Sequence, residues 1–168
     1  AGADSRDFPG FPEVSSSNEF EISTQSLKEM IVKSSFAVAK DESRACLCGI
    51  LWEINSNKSG MVATDGHRLG STFVNIPLQI QDTIKGIVSP KSLINLIKIA
   101  DGKTPDDKVK VNIGEKYVTF STPGMVMCSK LIDGPYPDYT KVIPRVNPKK
   151  AIIEREMLQN AVRRVSVL

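Results

Sequence analysis

Apolar residues recur along this chain at two different periods. Leu27, Met30, Ile31, Ser34 and Val38 keep to one face at helical spacing, and Ser23 or Thr24 can cap that helix at its start. Phe36 falls opposite the stripe, which predicts a kink or fraying near Ser34-Ser35 in place of an exposed aromatic ring. A second helix is expected from Pro90, well suited to a first turn, to about Ala100, where Asp101-Gly102 stops it. Its apolar side is Leu93, Leu96, Ile97 and Ala100. Strand-like runs fill the intervals: Leu47 to Ile54, Met61 to Ala63, Gly70 to Ile76, Gly86 to Val88, Lys108 to Ile113, Tyr117 to Ser121 and Met125 to Ile132. Asn55 to Gly60 reads as a hairpin turn. One helix followed by several antiparallel strands, twice over, is an α+β plan with both helices on one face of the sheet. Leu27, Met30 and Ile31 become Leu93, Leu96 and Ile97 after a shift of 66 positions, so the domain reads as a duplicated half.

Self-similarity also extends over a longer distance. Phe8-Pro9-Gly10-Phe11 with Val14 matches Tyr136-Pro137-Asp138-Tyr139 with Val142, 128 positions later. Ile22, Leu27, Met30, Ile31 and Ser34 match Ile153, Leu158, Ala161, Val162 and Val165 at an offset of 131. The simplest account is a slice through a tandem array. Residues 1–17 would be the tail of one domain and its linker, 18–147 a complete domain, and 148–168 the opening strand and helix of the next.

Composition narrows the chemistry. The 168 residues are 40% hydrophobic and 24% charged, the balance of a folded globular chain. No apolar run approaches a membrane span, and the first residues lack the pattern of a secretory signal. Cys46, Cys48 and Cys128 are too few and too awkwardly spaced for a disulfide framework, which points to reduced thiols in a cytoplasmic setting. With His67 the only histidine, no ligand set is spaced for structural zinc, and no cofactor motif is complete. A net charge of +3 is too mild to argue nucleic-acid binding from the total, so only placement of the basic residues can carry it.

Enzyme motifs mostly fail. Gly102-Lys103-Thr104 mimics the end of a phosphate-binding loop, but Ile97 stands where the first glycine belongs and Pro105 follows, so it reads as a helix stop. The one dense polar cluster is Ala63-Thr64-Asp65-Gly66-His67-Arg68-Leu69, joining two strand-like runs through an Asp-Gly turn. A hydrolase would use Asp65 to orient His67 as general base, but no partner nucleophile or oxyanion site is evident. A self-bonded turn and a binding wall are the other readings. On the second helix, Lys91, Asn95 and Lys98 share a side opposite the apolar stripe, which is either a solvated face or a surface for phosphates, with Arg163 and Arg164 adding to it. Glu29, placed opposite Asn95 by the 66-residue shift, opposes the phosphate reading.

The cluster Ala63-Thr64-Asp65-Gly66-His67-Arg68-Leu69, taken with Lys130-Leu131-Ile132-Asp133-Gly134-Pro135-Tyr136-Pro137-Asp138-Tyr139, resembles the bacterial DNA polymerase III beta subunit family, the sliding clamps. The resemblance covers nearly the whole chain and implies the DNA-clamp fold, seen as a middle domain with the tail of a first and the start of a third. It implies a non-enzymatic processivity factor in the bacterial cytoplasm, whose head-to-tail homodimer ring encircles duplex DNA. It places Lys91 facing DNA and Arg44 near a loop that also touches it, followed here by Ala45 and Cys46 where aromatic residues are common. It further implies a pocket that captures short peptide motifs of the replicative polymerase, the clamp loader and repair proteins. The middle-domain wall of that pocket would be Leu47, Thr64, Gly66, His67, Arg68, Leu69, Pro137, Lys141 and Val142. Lys141 stands where an arginine is familiar, keeping the charge without the bidentate fork. The rival classes are a hydrolase fragment built on Asp65 and His67, and a simple nucleic-acid-binding module.

Overall fold

Strand follows strand in antiparallel pairs, and the pairs fall into two sheets of four in the computed structural model, which describes residues 10, 12, 18–78, 80, 82–100, 107–144 and 146–166. The order along the chain is β1 (Glu19–Ser23), α1 (Thr24–Ser35), β2 (Ile50–Ile54), β3 (Lys58–Thr64), β4 (Leu69–Asn75), β5 (Ile84–Val88), α2 (Pro90–Ile99), β6 (Lys108–Ile113), β7 (Tyr117–Thr122), β8 (Met125–Lys130) and α3 (Arg155–Val165). Short 3-10 helices are also present at Glu42–Cys48 and Tyr139–Lys141. The chain divides into two units, Ala1–Tyr136 and Pro137–Leu168.

Within the first unit the expected α+β plan is present, but the strands divide between two sheets, β1-β6-β7-β8 and β4-β3-β2-β5, where one had been expected. Each half runs strand, helix, three strands. Each half also lends its first strand to the other: β1 pairs with β6, and β5 pairs with β2. This reciprocal exchange is the three-dimensional form of the 66-residue repeat, and neither half can complete a sheet alone. The match extends to single bonds, since Ile76 N–H donates to Asn57 O after β4 as Leu131 N–H donates to Lys116 O after β8. One residue further on the halves differ. Ile132 N–H donates to Ile87 O, whereas Pro77 has no N–H to offer at the corresponding place.

Strand β1 shows the alternation that sets register: Phe20 and Ile22 face the core, while Glu19 and Glu21 face out and pair with Lys110 and Lys108 on β6. Trp52 of β2 binds the two sheets together. Its indole stacks on Phe120 of β7 with centroids 6.1 Å apart, meets Phe20 of β1 edge-on at 5.9 Å, and donates its N–H to Ser59 Oγ at 2.7 Å. Leu27, Met30 and Ile31 of α1 and Leu93 and Leu96 of α2 are buried in the same cluster, each adding about 1.5–3 kcal/mol of apolar burial.

Local chemistry explains the element ends. Ser23 is the cap of α1, its Oγ accepting from Ser26 N at 3.1 Å. Asn55 Oδ1 accepts from the amides of Asn57 and Lys58, closing the hairpin between β2 and β3. Several expectations are corrected. Helix α1 stops at Ser35, so Val38 lies beyond it, and Phe36 is 55% exposed, not hidden. The helix ends before the chain can turn that ring inward, with Ser34 Oγ donating back to Met30 O at 2.7 Å. Leu47 belongs to a 3-10 helix capped by Asp41, and β2 begins only at Ile50. The earlier aromatic-proline repeat at residues 8–14 lies mostly outside the described residues, as do Asp101-Gly102 and the Gly102-Lys103-Thr104 segment.

In the second unit, Asp138 caps the short 3-10 helix, accepting from Thr140 N at 3.2 Å and Thr140 Oγ1 at 2.6 Å. Glu154 caps α3 through the amides of Glu156 and Met157, which holds its carboxyl below the usual range. Residues 146–154 form no strand before that helix, although Ile153 had been expected in one. Met157, Leu158, Val162 and Val165 leave the apolar side of α3 exposed.

Candidate docking turn and polar helix faces

The turn between β3 and β4 builds itself from its own side chains. Thr64 and Leu69 are the last cross-strand pair. Asp65 Oδ1 accepts from the amides of His67 and Arg68, each at 3.0 Å, and its Oδ2 accepts from Arg68 Nε at 2.9 Å. Thr64 Oγ1 donates to Arg68 O at 2.8 Å and accepts from Gly66 N at 3.1 Å. Gly66 has φ +93°, a conformation open to glycine and costly for other residues. The backbone amides of Arg68 and His67, with the Arg68 guanidinium, hold the Asp65 carboxyl far below the usual carboxylate range.

This wiring decides how the hydrolase reading stands geometrically. Both Asp65 oxygens are engaged by backbone amides and Arg68, and neither bonds the His67 imidazole. What the turn does is present Gly66, His67 and Arg68 to solvent on a preset backbone, with Leu69 half-buried behind them.

Two longer-range contacts hold the turn in place. Thr64 N–H donates to Tyr136 Oη at 3.0 Å across 72 residues, and burial pushes the Tyr136 hydroxyl up to about 12. The Arg68 guanidinium lies over the exposed Phe36 ring, 5.9 Å from its centroid, at the end of α1. Leu47 is 2% exposed. Pro137, Lys141 and Val142, the remaining residues expected in the pocket, are exposed in the second unit, and Lys141 Nζ is 3.4 Å from Asp138 Oδ2.

The residues expected to meet phosphates are spread over three elements. Lys91, Asn95 and Lys98 are exposed on α2, opposite buried Leu93 and Leu96. On α1, Lys28 and Lys33 are exposed too, although the 66-residue shift had drawn attention only to Glu29, which Lys33 neutralises in an ion pair. Arg163 and Arg164 are exposed on α3 in the second unit. Arg44 is elsewhere. It sits at a backbone kink (φ −124°, ψ 78°) beside the docking turn, where a Cβ at Gly66 would lie 3.6 Å from its Nη2. Sequence reasoning missed Tyr136 and Phe36 as supports of the turn, and no local pattern could have found them, because their partners are 72 and 32 positions away.

Reciprocally exchanged halves, two helices with polar outer sides and a prewired turn define a duplicated α+β domain of the DNA-clamp class. The family profile described as DNA polymerase III beta subunit, central domain, matches residues 21–138. The chain belongs to the DNA polymerase III beta subunit family. It is 33% identical to the beta sliding clamp of Pseudomonas aeruginosa over 96% of its length, and 30% identical to that of Bacillus subtilis over 99%. It spans 44% of each of those relatives. Among solved structures, the P. aeruginosa beta subunit matches with a TM-score of 0.90 over 96% of this chain and 44% of its own, at 33% identity. The Thermotoga maritima beta subunit matches at 0.86 over 98% of this chain and 44% of its own, at 30% identity.

Proposed function

We propose that this chain is part of a DNA polymerase processivity factor, a non-catalytic sliding clamp whose full-length subunits pair head to tail into a ring around duplex DNA. Residues 18–147 would be its complete middle domain, with residues 1–17 ending the first and 148–168 opening the third. The exposed sides of α1 and α2 face the phosphates, with Lys91, Asn95 and Lys98 making contacts that ignore base sequence. Arg163 and Arg164, exposed on α3 in the second unit, would serve phosphates in the same way within the next domain. On the outside, Leu47, Thr64, Gly66, His67, Arg68 and Leu69 form one wall of a pocket for short peptide segments of the polymerase, the clamp loader and repair proteins. A replication factor of this kind would work in the bacterial cytoplasm. Among the described residues no helix is long and apolar enough to cross a membrane.

The observation that carries this reading is the fold shared with clamp subunits over almost the entire chain. Its logic is topological: weak, salt-screened contacts permit sliding, and ring closure prevents escape. The test is retention of full-length protein on DNA. Protein loaded onto nicked circular duplex should co-elute with it through gel filtration in moderate salt and be shed when the circle is cut once. Equal retention on linear DNA would favour the simple nucleic-acid-binding module and overturn the ring.

A further inference from the structure

Asp-Gly dipeptides carry a chemical hazard whose size depends on local geometry. The glycine nitrogen can attack the aspartate side-chain carbonyl carbon, because no glycine side chain hinders its approach. Asp65-Gly66 and Asp133-Gly134 sit in settings that treat this reaction in opposite ways. At the first, Asp65 Oδ1 accepts from the amides of His67 and Arg68, Oδ2 accepts from Arg68 Nε, and Gly66 N–H donates to Thr64 Oγ1 at 3.1 Å. Nucleophile and electrophile are both tied down. A carboxyl held so far below its usual range is also almost never the neutral acid that can lose water. At the second, both residues are exposed and Gly134 has φ +119°. Among the described residues, no hydrogen bond or ion pair engages the Asp133 carboxylate or the Gly134 N–H.

We propose that Asp133-Gly134 is a site of spontaneous isomerisation to isoaspartate, and that the change unfastens the turn between β3 and β4 from Tyr136. Gly134 N bonds to Asp133 Cγ, the N–H proton and the carboxyl hydroxyl leave together as water, and a succinimide ring results. Water then opens the ring. Attack at the Cγ carbonyl restores aspartate, whereas attack at the main-chain carbonyl leaves Gly134 N on Cγ and frees the former main-chain carbonyl as the carboxylate. One water leaves and one returns, so no oxidant or other co-reactant is needed. The main chain now runs through Cβ and is longer by one bond, about 1.5 Å. Both ends of the segment are anchored. Ile132 N–H donates to Ile87 O at 2.8 Å just before it, and Tyr136 Oη accepts from Thr64 N–H at 3.0 Å just after it. Three residues join these anchors, and passing on about a third of the added length would carry the Thr64–Tyr136 contact beyond hydrogen-bond range.

The test ages the full-length protein in warm, mildly acidic buffer beside a synthetic peptide of residues 130–138, and locates isoaspartate by peptide mass spectrometry with electron-transfer fragmentation. Isoaspartate should build up at Asp133 at least roughly tenfold faster than at Asp65, whose carboxyl has the smaller neutral fraction. Asp133→Glu keeps the charge but would have to close a slower six-membered ring, and should hold that segment at background. In the isomerised fraction, separated by ion exchange, the Thr64 amide should exchange with deuterium at least roughly tenfold faster than in fresh protein, while aged Asp133→Glu protein keeps its protection. Equal accumulation at both aspartates, or none at Asp133 while the synthetic peptide converts, overturns the site. Isomerised protein whose Thr64 amide exchanges as slowly as before overturns the link to Tyr136.

Discussion

Trp52 offers the sharpest quantitative check on how the buried side chains of β2 and β3 are tied together. Its indole N–H and the Ser59 hydroxyl are both sealed from water, with each residue at 0% exposure, and they bond at 2.7 Å. Ser59→Ala removes the acceptor and strands a buried donor, which should cost about 1–3 kcal/mol. Trp52→Phe removes part of a ring packed between Phe20 and Phe120, at about 2 kcal/mol for lost transfer and cavity, and orphans the hydroxyl as well. The double variant leaves neither group unpaired, so its loss should fall short of the summed single losses by about 1–2 kcal/mol. Trp52 is the chain's one tryptophan, so fluorescence cannot follow the Phe variants, and urea unfolding by far-ultraviolet circular dichroism is the common assay. Additivity within about 0.5 kcal/mol would refute the claim that this bond ties the strands together inside the core.

Four further outcomes can be checked. Gly70→Ala should cost about 1–3 kcal/mol by chemical denaturation, because a Cβ there would stand 3.0 Å from both Lys33 O and the Phe36 ring. Tyr136→Phe should cost about 1 kcal/mol near neutrality by leaving Thr64 N–H without its acceptor. The folded Tyr136 hydroxyl keeps its proton up to about 12, above its ordinary value of 10.0, so the native chain should lose stability as pH rises between those values; the variant should lose less. Lys91→Glu in the full-length ring should flatten the dependence of log affinity for DNA on log salt by about 1–2, with peptide binding unchanged. Leu69→Asp in the full-length protein should lower affinity for an apolar client peptide at least roughly tenfold, and undiminished binding in the same titration would misplace the pocket.

Period and repeat made much of the fold legible in the sequence. The stripe Leu27, Met30, Ile31 set the buried face of α1, Pro90 its counterpart's start, and the 66-residue shift announced two equal halves. Alternation tells which side of a strand is buried but not which sheet the strand joins, so the exchange of β1 and β5 between halves was invisible. The turn at Asp65–Arg68 was recognisable because all its bonds are local. Its supports were not: Tyr136 and Phe36 reach it only after the strands have folded. Phe36 also shows where periodicity misleads, since an arginine laid over an exposed ring gives it a use that burial does not.

These supports give the domain a mechanical continuity that matters for how a clamp would read its clients. The end of α1 packs closely on β4 at Gly70, where a Cβ would stand 3.0 Å from Lys33 O and from the Phe36 ring. That ring carries the Arg68 guanidinium, Arg68 is fastened to Asp65, and Thr64 at the turn's other end is fastened to Tyr136, next to Pro137 in sequence. The helix proposed to face phosphate and the turn proposed to face peptide therefore share one set of close contacts. Such a turn is set before any partner arrives, and a bound peptide need not offset the entropy of ordering it. Affinity at the proposed site would then be decided by the apolar anchors that a client adds against Leu69, with the turn itself contributing a fixed shape.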